Sequence, residues 1–120
     1  MTRFDADALR DLGATKEVRI RTAKHPGNAV VIWVVVADDR VFVRSFRGAS
    51  GRWYRDLQAG GDATLEVKGR ELAVRASPER EPSAIDRVSQ EFLRKYRPSS
   101  YAEAMVKQDI LATTLRLEPR

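Results

Sequence analysis

Five arginines, Arg40, Arg44, Arg47, Arg52 and Arg55, fall between positions 40 and 55 with no acidic residue among them. The chain carries 22 Lys and Arg against 17 Asp and Glu, a formal charge of +5. This one stretch therefore holds the whole excess, and the remainder is formally neutral. Gly48, Gly51, Trp53 and Tyr54 share the segment. Guanidinium groups fork onto phosphate oxygens, and glycines let backbone approach a ligand closely. Flat aromatics pack against rings. The set suits a phosphorylated ligand with an aromatic ring, a description that a dinucleotide, a flavin and a nucleic acid all meet.

Other chemistries find little support. There is no cysteine, so neither a disulfide nor a thiolate metal site is available, and a single histidine, His25, cannot build the usual zinc or iron site. No metal-binding residues are assigned. No P-loop, no G-x-G-x-x-G after a strand, no G-x-S-x-G and no zincin helix occurs. Asp38-Asp39 reads as a turn, and Glu103 and Asp109 fall on a solvated helix, so no facing pair of acids stands out. The bland reading of His25 is a loop residue, and no catalytic residue is assigned. A sequence pI near 10 invites nucleic acid. A surplus of five charges confined to one segment argues against it, because nucleic-acid binders spread cations along several phosphates. Met1–Leu12 has no apolar signal core, and Val30–Ala37 is too short to span a bilayer. No membrane partner is therefore expected, and a cytoplasmic location is the default.

At 120 residues the chain is expected to form one domain. Asp5–Leu12 reads as a helix stopped by Gly13, and Val18–Thr22 as a half-buried strand. The breaker-rich loop 23–28 leads to Ala29–Ala37, a Val/Ile-rich strand buried on both faces. Asp38-Asp39 turns it into Arg40–Phe46, followed by the loop Arg47–Gly51 and a helix Arg52–Ala59. Two strands, Ala63–Val67 and Glu71–Ala76, form a hairpin around Lys68-Gly69-Arg70. A strongly amphipathic helix opens at Ser83 and ends before Pro98. A capping box, Ser100 with Glu103, starts a second short helix to about Ala112, and Thr113–Leu117 closes as a strand. Hairpin connections predict a mainly β fold with flanking helices, a six-stranded antiparallel barrel in the α+β class.

On these elements the arginine segment sharpens. Arg44 alternates between Phe42 and Phe46, on a face apolar enough that a cation there wants an anionic partner. Ser45 and Arg47 straddle the strand end, and Gly48 and Gly51 open the loop. Arg52 begins the helix. Trp53 is evenly balanced between core anchor and ring wall, whereas Tyr54 is the better ligand candidate. Lys24 and Asn28, one strand earlier, offer a second phosphate contact.

The block Val41-Phe42-Val43-Arg44-Ser45-Phe46-Arg47-Gly48, followed by Gly51-Arg52-Trp53-Tyr54-Arg55-Asp56-Leu57, resembles the FMN-binding split-barrel superfamily, which is pyridoxamine-phosphate-oxidase-like. More narrowly it is similar to deazaflavin-dependent nitroreductase-type proteins and to an uncharacterised sister group. The resemblance runs through about Val18–Ala76. It implies a six-stranded split barrel, a homodimer with FMN or deazaflavin at its interface, and Arg44, Ser45, Arg47 and Gly48 near the cofactor phosphate and ring. Trp53 and Tyr54 would flank the site. The implied activity is hydride transfer to a small molecule through the bound cofactor. Where deazaflavin-binding relatives commonly carry a Gly-Arg-x-Ser-Gly loop, this chain has Lys24-His25-Pro26-Gly27-Asn28. That departure motivates a second reading, a non-catalytic split-barrel protein that binds a small ligand.

Overall fold

The most apolar run of the chain does not fold as one strand. In the computed structural model, which describes residues 3–120, it divides at Trp33 and Val34. Met1 and Thr2, the first residues of the stretch read for a signal core, lie outside the described residues. The first half of the run, β2 (Val30–Ile32), pairs with β1 (Val18–Thr22); the second, β3 (Val35–Ala37), pairs with β4 (Arg40–Val43). With β5 (Gly61–Val67), β6 (Arg70–Pro78) and β7 (Leu115–Pro119), the order is β2-β1-β5-β6-β7-β4-β3, antiparallel throughout. The two ends of that order are joined by Trp33 and Val34 alone. The sheet therefore has to curl, and among the described residues the six expected strands become seven. The result is mainly β with flanking helices, a split-barrel-like fold.

Two hairpins follow from their turn residues. Asp38 and Asp39 have φ of 53° and 63°, and Lys68 and Gly69 have 48° and 79°. Positive φ at both central positions gives the primed turns whose twist matches that of paired strands. The turns set Ala37 opposite Arg40 and Val67 opposite Arg70.

Among the described residues, five α-helices flank the sheet: α1 (Ala6–Ala14), α2 (Arg52–Leu57), α3 (Pro82–Tyr96), α4 (Tyr101–Ala104) and α5 (Gln108–Leu111). Asp5 caps α1 by accepting the Ala8 N–H at 2.7 Å. Alternation along β3 and β4 feeds two cores. Val34, Val41 and Val43 join Leu12, Ile20, Leu65 and Leu115 inside the barrel. Val35, Ala37 and Phe42 meet Val88, Phe92 and Tyr96 of α3 on the outer side. Burial on both faces explains the unbroken apolar run from Val34 onward; earlier, Val31 is half exposed.

At the division, α3 supplies what the ladders do not. The Tyr96 ring lies parallel to Trp33, 3.9 Å between centroids. Its hydroxyl accepts the Val34 N–H at 3.1 Å, and the carbonyls of Lys16 and Val34 stand ready to accept its proton at 2.7 and 3.0 Å. Lys95 Nζ donates to the Val34 carbonyl at 2.6 Å and to the Leu12 carbonyl at 3.0 Å. Burial pushes the Tyr96 hydroxyl up to about 12 and, with Arg94 beside it, the Lys95 ammonium down to about 8.

Beyond α3 the chain departs from its expected form. The single helix read from Ser100 is two short helices, and the Ser100 side chain caps nothing. Ser99 Oγ accepts the Tyr101 N–H instead, and Glu103 pairs with Arg97 at 3.2 Å. With its acid drawn outward, the capping box has no second member.

Replacing Tyr96 by Phe keeps the ring stack and leaves the Val34 N–H buried without an acceptor. The expected cost is about 1–3 kcal/mol in a urea titration. Hydrogen exchange at the Val34 amide should accelerate along with it.

Candidate functional site

The structure sorts the arginine segment into an inside and an outside. Arg44, the expected phosphate anchor, is almost wholly buried. Its Nε donates to Thr114 Oγ1 at 2.8 Å, Nη1 to Ser89 Oγ at 2.9 Å and the Met105 carbonyl at 3.0 Å, and Nη2 to the Ile85 carbonyl at 2.9 Å. The guanidinium carbon sits 5.3 Å from the centre of the Phe92 ring. The apolar face predicted for Arg44 is real, but neutral oxygens rather than an anion satisfy it. Burial without a counter-charge pulls its pKa down to about 10. Arg44 is a strut between β4, α3 and the C-terminal helices, with its fork already occupied.

Ser45 and Gly48 are also turned inward. Ser45 Oγ donates to the Gly48 carbonyl at 2.7 Å, and the Ser45 N–H donates to Thr113 Oγ1 at 2.9 Å. Gly48 takes φ of 66°, which favours glycine. A Cβ on Gly51 would overlap the Ser45 hydroxyl, so this glycine makes room for the loop's own lock rather than for a ligand. Trp53 and Tyr54 both pack in the barrel core, and the Tyr54 hydroxyl lies 3.5 Å from the Ala112 carbonyl. Neither forms a ring wall, because Tyr54 shares the buried side of α2 with Trp53 and Leu57.

Arg47 and Arg52 remain exposed, as do Lys24 and Asn28 on the preceding loop. Arginines elsewhere in the chain, such as Arg21, Arg70, Arg87, Arg94, Arg116 and Arg120, sit against carboxylates. Among the described residues, none of the five between 40 and 55 forms an ion pair with an acid. The surplus visible in the sequence is thus uncompensated in space. Two of its members, Arg52 and Arg55, line an open depression of ≈ 400 Å³ together with His25, Asp56 and Gln58.

The one carboxylate there is already engaged. Asp56 Oδ2 lies 2.6 Å from His25 Nδ1 and accepts the Thr22 hydroxyl at 2.7 Å, while Thr22 Oγ1 accepts the His25 backbone N–H at 3.2 Å. Burial alone would raise the Asp56 carboxyl. The hydrogen bonds from Thr22 and His25, with the charges of His25 and Lys24, outweigh it and hold the group below its ordinary 3.8. Sequence reasoning placed His25 in the loop but missed its partner. The signal was present: Asp56 follows Trp53 by three residues and so falls toward the buried stripe of α2, where an acid needs a partner.

Residues 8–117 match the model of a family described as uncharacterized protein conserved in bacteria (DUF2255). This chain belongs to DUF2255. No curated protein matches it in sequence. Among solved structures, the FAD and heme binding protein from Mycobacterium smegmatis is similar in fold, with a TM-score of 0.60 at 16% identity. The match covers 95% of this DUF2255 chain and 65% of that one, so the chain spans just under two thirds of its neighbour. At that identity the likeness shows the fold, a split-barrel-like one. Among the described residues of the DUF2255 chain, no helix is long and apolar enough to cross a membrane.

Two outcomes follow. Arg44→Ala should lower stability by about 3–5 kcal/mol in urea, since it opens a cavity and orphans four acceptors, those of Thr114 and Met105 on buried residues; a surface anchor would cost less than about 0.5 kcal/mol. For Asp56, a carboxyl lowered in the folded state contributes stability above its ordinary value and loses it as pH falls through the lowered one. The stability gap between the wild type and Asp56→Ala should therefore be full at neutral pH and shrink as pH drops below about 4.

Proposed function

We propose that this protein binds a phosphorylated cofactor of the flavin or deazaflavin type, with its phosphate on Arg52, Arg55 and Lys24. The observation that carries the reading is the open depression whose two guanidinium groups, Arg52 and Arg55, form no ion pair with an acid among the described residues. Asp56 is spent on His25 and Thr22, which leaves the guanidinium groups of Arg52 and Arg55 for an external oxyanion. The solved neighbour's description as an FAD and heme binding protein supports the cofactor class. So does the resemblance of the Val41–Leu57 block to flavin-type split barrels.

The anchors fit a phosphate; the aromatic walls expected for the ring do not come from Trp53 and Tyr54, which are core. A homodimer with the ring at its interface supplies the missing wall. Phe46 and Tyr101, both more than half exposed and edge-to-face at 5.7 Å, offer apolar surface for a second copy. Bound there, such a ring would supply hydride transfer to or from a small substrate, which is oxidoreductase chemistry in a cytoplasmic setting. The inward turn of both aromatic residues also favours a second reading, in which the protein binds the phosphorylated ligand without turnover.

The test is direct. FMN, FAD and a deazaflavin are titrated separately and followed by fluorescence quenching and sedimentation. At least one should bind, and Arg52→Ala with Arg55→Ala should weaken it about tenfold or more, with affinity falling as salt rises. If none binds the folded protein, the reading fails. Binding without hydride transfer to any tested acceptor selects the non-catalytic version, and equal retention on duplex DNA would select nucleic acid instead.

A further inference from the structure

The three groups at the back of the depression close a ring of hydrogen bonds. The His25 backbone N–H points to Thr22 Oγ1, the Thr22 hydroxyl points to Asp56 Oδ2, and the same oxygen receives His25 Nδ1. The His25 N–H is shared between Thr22 Oγ1 and the Thr22 carbonyl, whereas the Thr22 hydroxyl and His25 Nδ1 both converge on Asp56. An ionised carboxylate only accepts, so the proton on this side of the imidazole sits on Nδ1. In the neutral ring Nε2 is then left bare, and among the described residues nothing else bonds to it. The His25 side chain is 50% exposed whereas Asp56 is 11% exposed, so the imidazole is open to solvent while its anchor is shielded.

Pinning the loop does not require this arrangement. Residues 22–28 are already tied by backbone bonds from Ala23 to Asp62, from His25 to Thr22 and from Asn28 to His25. The ring instead fixes an imidazole's orientation and tautomer at the wall of a cationic depression. A carboxylate behind Nδ1, with Nε2 facing the occupant, is how a histidine is set to move a proton.

We propose that His25 is the proton donor and acceptor of this site, acting through Nε2 on a phosphate or pyrophosphate ester held by Arg52 and Arg55. Asp56 and Thr22 are positioning residues. When the imidazolium gives its Nε2 proton to an oxygen or nitrogen of the occupant, it becomes the neutral Nδ1–H form already held by Asp56. Solvent, which reaches half of this side chain, returns the proton. The inference rests on the depression taking a phosphorylated occupant and adds which residue exchanges protons with it.

Nitrogen-15 NMR of the imidazole tests it, with inorganic pyrophosphate as the probe. The free protein should show protonated Nδ1 and bare Nε2. Asp56→Ala should move the tautomer toward the Nε2–H form that free histidine favours. Pyrophosphate should shift Nε2 of the wild type, and the Arg52→Ala, Arg55→Ala variant should lose that shift yet keep the Nδ1–H tautomer. Pyrophosphate binding seen by calorimetry with Nε2 unmoved overturns this inference and leaves the anion site standing. An Nε2–H tautomer in the free protein overturns it as well. No pyrophosphate binding at all overturns both.

Discussion

The backbone of Val34 is the point on which the rest of the molecule turns. A single chain run serves both ends of the sheet, so somewhere within it the peptide must leave one ladder before it joins the other. A buried peptide outside any ladder carries a donor and an acceptor that water cannot reach, and leaving either unmet costs about as much as a lost hydrogen bond. The Tyr96 hydroxyl meets the donor, and Lys95 with the same hydroxyl meets the acceptor. The link between the two edge strands is thus secured by two neighbouring side chains of a helix far along the sequence. That dependence fixes where α3 lies, and with it the second core against Phe42 and the cage around Arg44.

Arg44 shows how a buried cation is held without a counter-ion. Taking a charge out of water costs several kcal/mol, and a facing carboxylate repays this only with good geometry. Here hydroxyl and carbonyl dipoles from β7's approach, α3 and the segment after α4 surround the fork instead. Four oriented neutral acceptors and a ring face spread the compensation over several elements. The residue therefore binds the helical layer to the barrel. It also divides the arginine cluster: Arg44 is internal, whereas Arg47, Arg52 and Arg55 stay at the surface.

Periodicity made much of the fold legible. The Asp38-Asp39 and Lys68-Gly69 turns, the amphipathic α3 and the antiparallel hairpins all follow from local chemistry. The division at Trp33 was not legible, because Ala29–Ala37 offers no glycine, proline or charge to mark a break. What ends the ladder there is a tyrosine more than sixty positions away. Arg44 was legible as anomalous, on an apolar face, but not as satisfied, since its acceptors at 85, 89, 105 and 114 are assembled only by the fold. For Tyr54 and Trp53 the aromatic character suggested a ligand, yet a two-turn helix packed on a curled sheet has nowhere else to bury its anchors. Six residues leave it one apolar side, and both rings are needed to fill it.

The same geometry accounts for His25. Once Trp53 and Leu57 direct α2 into the barrel, Asp56 must lie at the edge of the buried side, close to β1 and the loop that follows it. A carboxylate in that position loses part of its hydration and has to be met by donors. Thr22, the last residue of β1, and His25, three residues on, are the nearest groups able to meet it. Arg52 and Arg55 point outward because the anchors point in, so the acid is spent on the loop while the guanidinium groups stay uncommitted. The packing demand of one short helix thus produces both an unpaired cationic surface and an oriented imidazole beside it, and the chemistry of the depression follows from how α2 is seated.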